Sequence, residues 1–228
     1  QARSGTDGHF ALHADGAPGK DSSLYVIAKG GVPAANKAGG NNPNIMLMTV
    51  VGSKPPAKIT VNELTTIASV VTHNQYIEGT AIKGSPLALQ IAAGNIANFV
   101  DITTGGYGAA IQDGLNSTQT PTMANFATLA NILAGCTTRV TADACAKLFA
   151  AATSPLGTVP ADTLVAAESV ARNPAFNANK LFLLLDAFYP VPNGKKMRAT
   201  PFMPYLTFTP SAWVFPLKFV GGGVSGGG

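Results

Sequence analysis

The sequence predicts an α+β chain, in which a short and incomplete β-sandwich precedes an α-helical domain and an extended C-terminal strand arm. Three observations predict it. Residues 1–58 carry short apolar runs, one strictly alternating, between turn formers; residues 59–190 repeat their apolar positions at helical spacing; residues 191–228 are interrupted by prolines and close in a glycine-rich tail.

In the first segment, Gly5-Thr6-Asp7-Gly8 reads as a turn feeding a strand in which Phe10 and Leu12 alternate with His9, Ala11 and His13. Leu24 to Lys29 and Ile45 to Val51 read as two further strands. Turn formers lie between them, in Asp15-Gly16-Ala17-Pro18-Gly19 and from Gly30 to Pro43. An immunoglobulin-like sandwich uses about seven strands. With three strands the sandwich is incomplete, and an incomplete sheet leaves main-chain N–H and C=O groups open to strand addition.

Six helices are expected in the second segment. Val61, Leu64, Ile67, Ala68 and Val71 share one face of the first, with Thr60 as N-cap and Glu63 as its capping-box partner. Ser85-Pro86 opens the second, since proline is tolerated in a first turn. Thr120-Pro121 or Thr122 opens the third, which carries Phe126, Leu129, Ala130 and Leu133. Leu148, Phe149 and Ala152 mark the fourth, with Thr141 as N-cap, and Leu164, Ala167 and Ala171 mark the fifth. The sixth runs through Leu181, Leu184, Leu185 and Phe188 until Pro190 stops it. Gly105-Gly106-Tyr107-Gly108 reads as a flexible loop. It lacks the Lys of a phosphate-binding loop. In the arm, Tyr205 to Phe208 and Trp213 to Phe219 read as short strands, and Pro216 confines the second to an edge or a bulge.

Composition narrows the function classes. Charged residues are 11% of the chain, well under the roughly 25% of ordinary soluble domains. So little charge fits a surface covered in an assembly, or a neutral extracellular protein. The net charge of +4 is small and scattered, with one cluster at Lys195, Lys196 and Arg198 and no basic face carrying interleaved aromatics, so no nucleic-acid partner is expected. No stretch reaches the ~18 apolar residues of a membrane span. The chain opens at Gln1, as a processed export product or a piece of a longer protein would.

Cys136 and Cys145 lie nine positions apart at a helix–turn–helix corner, where a disulfide would staple the turn and indicate an oxidising compartment. Two buried free thiols are the alternative, and no third or fourth ligand lies nearby to make a metal site. His9 and His13 share a strand face beside Asp7 and Asp15, which reads as a solvated pair rather than a metal site. His73 follows the first helix, where a cation would face the terminal carbonyls. The three glutamates, Glu63, Glu78 and Glu168, have no sequence reason to pair with an aspartate for glycosidase chemistry. No catalytic residue, cofactor or metal is assigned. Asn116 heads the sequon Asn116-Ser117-Thr118, making it a candidate glycan acceptor.

Val61-Asn62-Glu63-Leu64-Thr65-Thr66-Ile67-Ala68-Ser69-Val70, Ile91-Ala92-Ala93-Gly94-Asn95, Asp113-Gly114-Leu115-Asn116-Ser117, Phe188-Tyr189-Pro190-Val191-Pro192 and Pro210-Ser211-Ala212-Trp213 together resemble the N-terminal region of bacterial secreted proteins that carry NHL-repeat β-propellers. The resemblance covers residues 24 to 220. It implies export to the extracellular space or cell surface, a Cys136–Cys145 bridge, and an immunoglobulin-like or carboxypeptidase-regulatory-like β-module ahead of the helices. Two departures stand out: the first strands of that module do not precede Gln1, and no propeller repeat follows Gly223, so propeller-borne lyase chemistry transfers to no residue here.

The function expected from these residues is structural. Trp213, Val214, Phe215, Leu217 and Phe219 have the apolar area to complete the sheet of a neighbouring copy, and head-to-tail donation of that kind builds a filament or adhesive appendage. Two alternatives stand beside it: the arm pairs with the chain's own N-terminal sheet, or the chain is a monomeric spacer or binding module of a secreted NHL-repeat protein.

Overall fold

The computed structural model describes residues 1–13, 19, 22–36 and 38–219; the turn at Asp15-Gly16-Ala17-Pro18 and the chain from Val220 onward lie outside them. In chain order come β1 (Leu24–Lys29), β2 (Met46–Gly52), α1 (Glu63–Thr72), β3 (Ile77–Glu78), β4 (Ala81–Ile82) and α2 (Pro86–Gly94). After a 3₁₀ turn at Ile96–Asn98 follow β5 (Val100–Asp101), β6 (Gly106–Tyr107), α3 (Ala109–Gln112), α4 (Gly114–Ser117), α5 (Thr122–Thr137), α6 (Ala144–Ala151), α7 (Thr163–Arg172) and α8 (Ala178–Phe188). The strands form three separate antiparallel pairs among the described residues, β1 with β2, β3 with β4 and β5 with β6. The mixed α/β class therefore stands, without a closed sheet.

The first expected strand is absent: Phe10 to Leu12 is exposed and unpaired. Among the described residues β1 and β2 form the one pair longer than two residues, with Ile27 opposite Met48 and Tyr25 opposite Val50. A sandwich does not form, because helices take the place of its second sheet. Met46, Met48 and Val50 bury their side chains in the helical core, and α1 and α7 cover the β2 edge that faces away from β1.

All six expected helices form, and α3 and α4 are additional. Their starts differ in detail. Asn62, not Thr60, caps α1: its side chain accepts from the Thr65 N–H, and Thr65 Oγ1 accepts from the Asn62 N–H. Glu63 instead accepts from the Thr137 hydroxyl of α5, and desolvation raises its pKa. Asp143, not Thr141, sits at the start of α6, with the Thr141 hydroxyl donating to its carboxylate at 2.9 Å. Ser85 and Pro86 open α2 as read from the sequence. The glycine-rich stretch is not a free loop, since Gly106–Tyr107 pairs with Val100–Asp101. Gly108 must be glycine here: a Cβ would lie 2.2 Å from the Ala97 carbonyl oxygen.

α5 is the axis of the molecule. All but one of its 16 residues are buried, Ala124 being the exception, and α1, α6, α7 and α8 pack around it. Gly135 allows α8 to approach, because a Cβ there would lie 2.2 Å from the Phe188 ring. One apolar cluster joins Met48 of β2, Ile67 of α1, Phe126 and Leu133 of α5, Leu181 and Leu185 of α8, and Trp213 and Phe215 of the arm. All three sequence segments thus supply one core.

Cys136 and Cys145 form a disulfide at the α5–α6 corner, both sulfurs buried. The corner also anchors the long connection between β1 and β2. Asn42 donates its amide to the carbonyls of Cys136 (2.8 Å) and Thr137 (3.1 Å). Arg139, held at a left-handed φ of 42°, donates to the carbonyls of Gly39, Gly40 and Asn41. No helix among the described residues is long and apolar enough to cross a membrane.

Candidate functional site

The expected assembly strand is not a strand. Trp213 to Phe219 runs extended without joining any sheet. Trp213 is 2% exposed and Phe215 8%, whereas Val214 and Phe219 are 48% and 64% exposed. The Phe215 ring meets Phe126 of α5 edge-on at 5.4 Å, and the main-chain N–H of Trp213 donates to the Pro174 carbonyl at 2.8 Å. Leu217 is half-buried against the same core. The two large aromatics are therefore spent on the chain's own body, on helices rather than on the N-terminal sheet.

A helix holds this arm by reading its main chain. Asn131 donates its amide to the Phe202 carbonyl (2.8 Å) and accepts from the Phe202 N–H (2.9 Å), as a β-partner would. Thr128 accepts from the Leu206 N–H (2.8 Å), Asn125 donates to the Val214 carbonyl (2.9 Å), and Thr122 donates to the Pro216 carbonyl (2.8 Å). Just before α5, Asn116 repeats the two-way clasp on Lys218, donating to its carbonyl at 2.8 Å and accepting from its N–H at 2.7 Å. The arm therefore runs antiparallel to α5. Because successive three-residue steps drift about 60° around an α-helix, the ladder winds and the arm crosses α5 obliquely.

Sequence reasoning missed these residues. Their signal was the polar triplet spacing Thr122, Asn125, Thr128, Asn131 inside an otherwise apolar helix, since buried side-chain amides and hydroxyls demand partners. The same finding overturns Asn116 as a glycan acceptor in the folded chain. Its side chain is fully buried, and both ends of its amide are engaged by Lys218 and Ala110.

Where the arm passes the ends of α1 and α7, an apolar depression of about 350 Å³ opens, lined by Val71, Asn74, Ala171, Pro174, Trp213 and Phe215. No titratable side chain lines it. The other candidates lie apart from it. His73 is fully buried, donates Nδ1–H to the Ser69 carbonyl at 3.1 Å, and leaves Nε2 without a partner. Burial pulls its pKa down, so it caps α1 as a neutral ring rather than as the cation the sequence suggested. Glu168 of α7 is 2% exposed; one oxygen accepts from Gly79 N–H (3.2 Å) and lies 3.4 Å from Arg172, while the other has no partner. Desolvation raises its pKa.

His9 lies 3.2 Å from Asp7 on the exposed N-terminal segment, and His13 is exposed as well. No group of three or more His, Cys, Asp or Glu side chains converges among the described residues. A nucleophile beside an oriented base, the arrangement that acyl-transfer chemistry requires, is not assembled by any of these groups. The site thus defines a main-chain-binding helix face and an apolar depression. No family model, curated protein or solved structure matches the chain.

Proposed function

We propose that this chain is a non-catalytic spacer and binding module of an exported extracellular protein, of the kind that precedes the propeller in secreted NHL-repeat proteins. The clasp of α5 on the C-terminal arm carries this reading. An arm whose aromatics fill its own core, and whose main chain is bonded at five side chains, is a fold element and not a spare donor strand. Burying each such aromatic stabilises the chain by roughly 1.5–3 kcal/mol, all of which a donated arm would have to recover elsewhere. The buried disulfide supports folding in an oxidising compartment.

Filament assembly by donation of Trp213 to Phe219 is the competing reading, and one experiment separates the two. Negative-stain electron microscopy of the full chain should show compact particles no larger than a pair of copies. A variant lacking residues 199–228 should lose cooperative thermal unfolding. Filaments from the full chain, abolished in a truncated variant that stays folded, would refute the proposal.

A further inference from the structure

The apolar depression beside the arm carries two polar atoms that the fold leaves unmatched. Trp213 and Asn74 both line it. The indole Nε1–H of Trp213 has no hydrogen-bond partner among the described residues, and neither has the Asn74 side-chain oxygen, Oδ1. Both atoms are closed off from solvent. A buried donor or acceptor in that state is unfavourable, and native chains hold few of them. One unmatched donor and one unmatched acceptor at a single concavity call for a ligand that brings one of each.

Neighbouring bonds hold both residues in place. The Asn74 amide nitrogen donates to the Ala171 carbonyl at 3.1 Å, which commits that nitrogen to α7 and leaves the oxygen over. Trp213 donates its main-chain N–H to the Pro174 carbonyl at 2.8 Å, while Asn125 donates to the carbonyls of Ala212 (3.4 Å) and Val214 (2.9 Å) on either side of it. The Val214 side chain, by contrast, is 48% exposed and stands outside the apolar core.

We infer that the depression is a recognition site for a short apolar peptide segment, seating one aliphatic side chain together with the peptide group beside it. That peptide group supplies a carbonyl for the Trp213 Nε1–H and an N–H for Asn74 Oδ1; Val214 is the wall that yields as the occupant reaches them. Val71, Ala171, Pro174 and Phe215 offer apolar side chains, and no titratable side chain lines the depression, so a charged ligand would lose its hydration uncompensated. A sugar carries more hydroxyls than two side-chain atoms can satisfy. The volume of about 350 Å³ lies at the small end of the roughly 300–1,000 Å³ of ligand sites, which suits one side chain and its peptide unit. This assigns a ligand class to the binding-module reading and rests on it, because a donated arm would carry Trp213 out of the depression.

Trp213 is the single tryptophan of the chain, so its indole N–H gives one nuclear magnetic resonance signal that reports on the site. Titrating the full chain with N-acetyl-leucinamide should move that signal saturably. Free leucine, which has the same side chain but charged termini, should not move it. Asn74→Leu removes the acceptor at similar volume and should weaken binding at least tenfold. Because that change also releases the Ala171 carbonyl, Ala171→Leu provides a second variant: it fills the depression, keeps both polar atoms and should weaken binding as much, with thermal unfolding confirming the fold of each. A signal that stays still throughout the titration, or a folded Asn74→Leu that binds as tightly as the original chain, overturns the inference. So does a preference for N-acetylglucosamine, which shares the acetamido group and would mark a glycan site. Filaments seen by electron microscopy would remove both readings; compact particles with a flat titration remove only this one.

Discussion

The C-terminal arm and β1 are both extended and apolar, yet their main chains meet opposite fates. The arm lies on α5, whose buried Asn and Thr side chains supply the donors and acceptors that a neighbouring strand would. β1 is paired on one side by β2 and has no such side chains on the other among the described residues. Apolar content does not separate these cases: Trp213 to Phe219 is richer in aromatics than Leu24 to Lys29, and it is the one already engaged. What separates them is whether a helix presents hydroxyls or amides at the right spacing. The edge of β2, closed by Thr66, Ser69 and Thr163, makes the same point within a single strand pair.

The contrast breaks most visibly at Trp213. Trp213→Ala should cost about 3–5 kcal/mol, because it empties a buried aromatic site between the arm and the helical body; urea unfolding measures it. A loss under 1 kcal/mol would mean that the arm is loosely held and free to be donated. Next in size, replacing both Cys136 and Cys145 by alanine should cost about 2–3 kcal/mol on the loop-entropy argument. Limited proteolysis should then cut first between Gly30 and Pro43, the connection that Asn42 and Arg139 tie to this corner.

Asn131→Leu keeps the volume of the side chain but strands the Phe202 N–H and carbonyl, and should cost about 2 kcal/mol. Hydrogen exchange should quicken in the arm and not in β2. Ser69→Ala strands the outward N–H of Val50 for about 1 kcal/mol, and should raise exchange at Val50 while leaving the arm protected. Uniform quickening in either variant would erase the distinction between the two regions.

The smallest effect is on pH dependence. Burial lowers the pKa of His73 from its ordinary 6.5, so below that value the unfolded chain gains a proton that the folded chain resists, and stability falls as pH drops. Glu63 and Glu168 have the opposite sign. Their pKa values are raised from 4.5, so the folded chain keeps protons longer and stability falls as pH climbs through that range. His73→Asn should flatten the acid side of a thermal-stability profile, and Glu168→Gln the side where carboxylates ionise. An unchanged profile in His73→Asn would mean that the ring titrates as it does in water.

The six longer helices and their order were legible because apolar residues at spacings of three and four need only local geometry to be read, whereas the four-residue α3 and α4 are too short to carry such a period. Ser85-Pro86 and Pro190 marked a helix start and a stop for the same reason: their constraints act within one turn. Caps were less legible. Thr60 and Asn62 both suit an N-cap, and the choice fell to Asn62 because its amide also donates to the Gly105 carbonyl, 43 positions along the chain. The arm was read as strands because Trp, Val and Phe favour extended structure. Extended it is, but extension does not name a partner, and α5 lies 71 to 94 positions away along the ladder.

By itself, then, the sequence determined what depends on neighbours along the chain: an α+β order, six helices, an extended arm and a cysteine pair that could close a short corner. Tertiary structure decided where the main-chain hydrogen bonds of the extended segments go, and with them the fate of Trp213, Asn116 and the two sheet edges. The physical reason is that hydrophobicity is non-directional and reads from composition, whereas a hydrogen bond needs a donor and acceptor within about 3 Å. Asn131 and Phe202 reach that distance only once the chain has folded back on itself.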